Sequence, residues 1–141
     1  KKGRHTSRKI KDLNIKDKFH FNKDISFKEV RDLYCSSDVV VIPSLYEGFG
    51  FAIGEAMACR VPVITTSGGA IPEVIGNCGI TVAPGNSEQL EKAMLKLLPD
   101  ENLKNSLAEK GFNRIIEHLQ WKEVARLMTE SYEAEIKRMT D

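Results

Sequence analysis

Residues 47–55 read Glu47-Gly48-Phe49-Gly50-Phe51-Ala52-Ile53-Gly54-Glu55, two carboxylates eight positions apart around a glycine-rich stretch. Before them, Asp38-Val39-Val40-Val41-Ile42-Pro43 is an apolar run without alternation, as expected of a parallel strand covered on both faces. After them, Ala56–Cys59 continues a helix. The reading is therefore strand, glycine turn, helix, with one acid at the turn and the other inside the helix. In open α/β sheets, ligands bind at the carboxyl ends of the strands. Helix N-termini there hold anions through free N–H groups and the helix dipole. Were the whole span helical, the acids would stand about 12 Å apart. At that distance one carboxylate reaches a ribose while the other reaches a sugar beyond a pyrophosphate.

Working outward, helices and strands alternate. Residues 5–14 read as a short basic helix, and Lys18-Phe19-His20-Phe21 alternates polar and apolar as a short strand does. Ser26 and Glu29 have the spacing of a capping box, and the helix they start is expected to bury Val30, Leu33 and Tyr34. Pro62–Thr65 reads as a further buried strand and Ile80–Ala83 as a third strand. Between them lie a tight turn at Ser67-Gly68-Gly69 and a short helix over 71–75 with Pro72 in its first turn. Ser87 is expected to cap a helix running to about Leu98, with Leu90, Ala93, Met94 and Leu97 on its apolar side. Helices follow near 101–118 and 120–138. The first turns Leu103, Leu107, Ile115, Ile116 and Leu119 to one side, and the second Trp121, Val124, Met128, Tyr132, Ile136 and Met139. The class is α/β, a Rossmann-like parallel sheet with helices on both faces, ending in helices.

The 141 residues suffice for one domain with a real core, and no repeat or linker divides them. A formal net charge of +1 gives no global case for nucleic acid. Residues 1–18 nevertheless carry eight Lys/Arg against two Asp. Such an end can steer toward phosphates or anionic lipid, although a solvated helix or terminus is the more ordinary reading. Cysteines at 35, 59 and 78 show no Cys-x-x-Cys spacing, so reduced, buried thiols and a cytoplasmic setting are expected. No apolar run reaches the ~18 residues of a membrane span. His5, His20 and His118 lack ligand spacing and read as structural. No Asp-x-Asp, P-loop or Gly-x-Ser-x-Gly occurs. The glycines 48, 50 and 54 miss the dinucleotide fingerprint by one residue.

From about Phe19 onward the chain resembles the C-terminal domain of the group 1 (family 4) glycosyltransferases, which have the GT-B fold. The resemblance rests on an ordered set of motifs: Ser37–Ser44, Glu47–Phe51, Glu55–Ala58, Val61–Ile64, Gly68-Gly69, Pro72–Val74 and Gly79–Pro84. It implies that residues 1–141 are a single partial domain binding a nucleotide-sugar donor. The first strand–helix units, an early Arg/Lys pair for the donor phosphates and an N-terminal acceptor domain would lie outside it. Lys1–Arg4 would then follow directly on the missing basic pair.

The resemblance assigns Glu47 to the donor hexose near the reacting carbon, where a carboxylate also favours an oxocarbenium-like state. It assigns Glu55 to the ribose hydroxyls. The backbone N–H groups of Gly48, Phe49, Gly50 and Phe51 would meet the distal phosphate or the sugar, and main-chain groups near Asn22 the nucleobase. The rings of Phe49 and Phe51 are expected in the core. Gly68 and Gly69 read equally as a site loop and as a structural turn. Arg60 departs from the family where the helix commonly ends in glycine, so either a different ending or a strained left-handed residue is expected there. The implied activity is retaining, metal-independent and cofactor-free hexosyl transfer to a sugar or lipid acceptor, compatible with the inner face of a membrane. These 141 residues alone are expected to be inactive and to self-associate. Two rivals stay open: a non-catalytic nucleotide or nucleotide-sugar-binding Rossmann-like module, and an interaction domain whose acids are surface residues.

Overall fold

A computed structural model describes residues 2–140, and the side chains of residues 7–120 and 122–139. Lys1 lies outside the described residues, as do the side chains of Lys2–His5 and Trp121, so the expectations resting on them do as well. The elements in chain order are α1 (Lys2–Asp12), a 3-10 turn (Lys16–Lys18), α2 (Phe27–Cys35), β1 (Val40–Ile42), α3 (Phe51–Ala58), β2 (Val63–Thr66), α4 (Ile71–Ile75), β3 (Ile80–Val82), α5 (Ser87–Leu97), α6 (Glu101–His118) and α7 (Trp121–Thr140). The three strands form one parallel sheet in the order β1-β2-β3, with Val40 opposite Val63 and Ile64 opposite Ile80.

Strand side chains alternate between two cores, which is why the strands read as unbroken apolar runs. Val40, Ile42 and Val63 face a cluster built by Ile53, Ala56 and Met57 of α3 and by Ile71 and Ile75 of α4. Val39, Val41, Ile64 and Val82 face Ala93 and Leu97 of α5 and Leu107 of α6. Each fully buried aliphatic side chain contributes about 1.5–3 kcal/mol relative to exposure. Ile53, Met57 and Ile75 are completely enclosed or nearly so, so the site-bearing α3 is among the most firmly seated elements.

Several expectations need correction. Residues 19–21 form no strand and pair with none of the three described strands. Phe19 and Phe21 stack on each other instead, their rings 6.2 Å apart, and both are exposed. The Ser26/Glu29 capping box is present, but nothing on α2 is fully buried: Val30 and Tyr34 are half-buried and Leu33 is exposed. Asn86, not Ser87, caps α5, its side chain accepting from the Gln89 N–H at 2.9 Å. Of the thiols expected to be buried, only Cys78 is; Cys59 is half-buried and Cys35 exposed. On α7, Met128, Tyr132, Ile136 and Met139 are exposed. No described helix is long and apolar enough to cross a membrane.

Candidate functional site

The site is built on the carboxyl ends of β1 and β2. Thr65 Oγ1 donates to the Ile42 carbonyl at 2.9 Å, and Thr66 Oγ1 to the Ser44 carbonyl at 2.5 Å. Both threonines are buried, so their hydroxyls need these partners, and the bonds tie the chain leaving β1 to β2. Ser44 in turn donates its hydroxyl to Glu47 Oε1 at 2.6 Å. Parallel pairing resumes between Glu47 and Gly69: the Glu47 N–H donates to the Gly68 carbonyl at 3.4 Å, and the Ala70 N–H to the Glu47 carbonyl at 2.9 Å. A Cβ on Gly69 would stand 2.2 Å from the Glu47 carbonyl oxygen, and φ there is +68°. The glycine pair therefore serves the close approach of the two loops, whatever ligand they meet.

The turn after Glu47 opens the helix. Gly50 is the N-cap of α3 with φ +73°, a left-handed conformation natural to glycine. Its carbonyl accepts from the N–H groups of Ile53 and Gly54. Among the described residues, none accepts from the backbone N–H groups of Gly48, Phe49 or Gly50. A Cβ on Gly48 would meet nothing within 4 Å, so the backbone there is open to close approach. The first N–H groups of a helix also lack intrahelical partners. The helix begins at Phe51, after the glycine turn, as the sequence reading has it, so only part of the span between the acids is helical. Helical rise from Phe51 to Glu55 accounts for about 6 Å.

A cavity of about 530 Å³ lies along this helix. Gly48–Phe51, Gly54, Glu55 and Ala58 line one side, Ala70, Glu73 and Val74 another, and Ile115, Leu119 and Val124 complete it. Phe49 and Phe51 are not core residues. They are 65% and 63% exposed and stack on each other at 4.7 Å, at the cavity wall. Glu47 is half-buried at the Ser44 end of the turn and does not line the cavity. Asn22 is exposed in the irregular segment after Phe21, and the structure does not bring it to the cavity.

Glu55 is exposed, and Tyr34 of α2 donates its phenol to Glu55 Oε2 at 3.3 Å. Burial, then the Glu55 charge and this bond, push the Tyr34 phenol above its ordinary value. Tyr34 was legible only as an apolar contact of α2. The one hint was that a half-buried tyrosine seeks a partner for its hydroxyl. Ser44 and Glu73 were missed for want of any local pattern. Arg60 does take the left-handed conformation, with φ +56°. Its guanidinium pairs with Glu109 at 2.8 Å and lies 3.9 Å over the Phe112 ring.

A parallel sheet carrying a glycine turn and two acids at its carboxyl edge is the arrangement of a GT-B glycosyltransferase domain. The chain belongs to the group 1 glycosyltransferases: that family, described as "Glycosyl transferases group 1", matches residues 3–114. It is similar to the MMP alpha-(1->4)-mannosyltransferase of Mycolicibacterium hassiacum, 34% identical over 137 residues, covering 95% of this chain and 33% of the relative. Among solved structures, the sucrose-phosphate synthase of Thermosynechococcus elongatus superposes with a TM-score of 0.83 at 27% identity, over 96% of this chain and 34% of that one. HepE of Anabaena, in complex with UDP-glucose, superposes with a TM-score of 0.82 over 93% of this chain and 36% of its own, at 20% identity, a likeness of fold. The chain thus spans about a third of the length of these relatives.

Proposed function

We propose that these residues are the donor-binding part of a retaining, metal-independent glycosyltransferase that moves a hexose from a nucleoside diphosphate sugar to a sugar or lipid hydroxyl. The observation that carries this is that residues 48–51 at the N-terminus of α3, the first three with backbone N–H groups unpartnered among the described residues, line one cavity together with Glu55. N–H groups and the helix dipole favour the distal phosphate, and a carboxylate accepts from ribose hydroxyls. Glu47, held by Ser44, addresses the hexose and favours positive charge on its reacting carbon. The mannosyl transfer in the name of the mycobacterial relative and the UDP-glucose held by a protein of this fold support a nucleotide-linked hexose. Retention, freedom from metal and the absence of a cofactor are carried by the family resemblance. The acceptor domain and a place at the inner face of a membrane are carried the same way.

The test is a thermal-shift panel on the intact protein with uridine, guanosine and adenosine diphosphates and their hexose conjugates. One base should stabilise clearly, and Glu55→Ala should weaken that nucleotide by about 1.5–3 kcal/mol in calorimetry. A chelator should leave transfer unchanged. No shift with any nucleotide would return the chain to the interaction-domain reading.

A further inference from the structure

Glu55 is an exposed residue of α3 beside the buried Ala56, and its side chain has three rotatable bonds. Freezing them costs a ligand affinity unless the protein has already done so. Among the described residues the Glu55 carboxylate has one hydrogen-bond partner, the Tyr34 phenol, 21 positions earlier in the chain. Tyr34 is itself well placed to act as a fixed post. Its ring packs against the cluster of Ile53, Ala56 and Met57, and α2 is fastened at its start by the Ser26/Glu29 capping box. The phenol takes Oε2, which leaves Oε1 and the remaining lone pairs of the carboxylate for hydroxyl groups.

We propose that Tyr34 is a positioning residue that holds the Glu55 carboxylate in the rotamer that receives the ribose of the donor nucleotide. This rests on the reading of Glu55 as the ribose contact. It adds that α2, which contributes no residue to the cavity wall, sets the affinity for the nucleotide. A phenol suits this role better than a cation. It fixes the carboxylate without neutralising it, so the charge stays available to strengthen bonds from the sugar hydroxyls.

The test is a calorimetric cycle on the intact protein with wild type, Tyr34→Phe, Glu55→Gln and the double variant. Uridine, guanosine and adenosine diphosphates are titrated first, and the tightest is carried forward together with its 2′,3′-dideoxy form. Tyr34→Phe keeps the ring in the core and removes only the hydroxyl, and its melting temperature is measured alongside. The expected result is about a five-fold loss of ribonucleotide affinity in Tyr34→Phe, the scale of one net hydrogen bond. The dideoxy nucleotide should bind wild type and Tyr34→Phe alike, and the Tyr34 effect should vanish once Glu55 is Gln. Equal losses with both nucleotides would show a merely structural role and overturn the proposal. So would unchanged ribonucleotide affinity in Tyr34→Phe while Glu55→Gln loses it. If Glu55→Gln itself binds as wild type does, the ribose reading fails first and this one with it.

Discussion

The Ser44 hydroxyl donates to Glu47 Oε1 at 2.6 Å, and the Ser44 carbonyl is itself held by the buried Thr66. The acid is thereby fixed through one side-chain bond to the end of β1 and through its backbone to the Gly68-Gly69 loop. This separates charge from position experimentally. Glu47→Gln keeps an oxygen for Ser44 to donate to and loses only the charge. If Glu47 stabilises developing positive charge on the donor hexose, kcat should fall at least ten-fold, about 1.4 kcal/mol. Nucleoside diphosphate affinity should stay within about two-fold, because the interaction strengthens only in the transition state. Ser44→Ala keeps the charge and frees the rotamer, so a smaller loss of turnover is expected. Steady-state kinetics beside calorimetry check both, and near-normal turnover of Glu47→Gln would make the acid a loop residue.

Gly69→Ala should cost both stability and activity. The added methyl would stand 2.2 Å from the Glu47 carbonyl oxygen, a rigid backbone atom, at a φ of +68°. Strain at a left-handed site costs about 1–3 kcal/mol, and the contact adds to it. Urea unfolding should show the loss. Gly48→Ala is the control, since nothing lies within 4 Å of its Cβ and its φ is not in the left-handed range. Gly48→Ala should leave stability within about 0.5 kcal/mol, the scatter of surface changes. Its nucleotide affinity should nevertheless fall if ligand backbone contacts run through this turn.

Arg60 offers a sharper stability test. Its left-handed backbone costs about 1 kcal/mol. The Glu109 pair and the Phe112 ring return amounts of the same order, each about 0.2–1 kcal/mol for exposed groups. Arg60→Ala keeps the strain and loses both contacts, so it should be destabilised by about 0.4–2 kcal/mol. Arg60→Gly loses the contacts and also the strain, so it should lie about 1 kcal/mol above Arg60→Ala. Equal denaturation midpoints for the two would show that the φ of +56° carries no strain.

What was legible in the sequence is what local chemistry dictates. Val39–Ile42 and Pro62–Thr65 were legible as strands because each feeds two cores, Val63 into one and Ile64 into the other, which suits a covered parallel sheet. Ser26 and Glu29 announce their helix because a capping box is contained in four consecutive residues. The errors arise where partners are distant. Alternation at residues 18–21 fits a strand, but a strand also needs a neighbour, and none pairs there. Phe49 and Phe51 look like core by composition, yet the left-handed Gly50 between them sets both rings on the surface, stacked. The Tyr34–Glu55 bond joins two helices across a crossing that no spacing rule encodes.

The last prediction concerns these 141 residues in isolation. On α7, Met128, Tyr132 and Met139 are 50–81% exposed, and Leu127 beside them is 48% exposed. Scattered exposed apolar residues are ordinary, but here they follow one another at helical spacing along a single element. β1 adds a free sheet edge, pairing with β2 alone, and all three of its residues are only half-buried. An unpaired edge and an apolar helix face both invite association. The isolated chain should therefore associate at high concentration and bind an apolar-sensing dye. Replacing Met128 and Tyr132 by lysine should reduce both effects without lowering the melting temperature, since neither side chain is buried. Light scattering that reports a strict monomer, with no dye binding, would remove the association idea. Because the acceptor side of the reaction is proposed to come from another domain, the same preparation should transfer no sugar. Measurable transfer by these residues alone would overturn the reading of them as a donor-binding part.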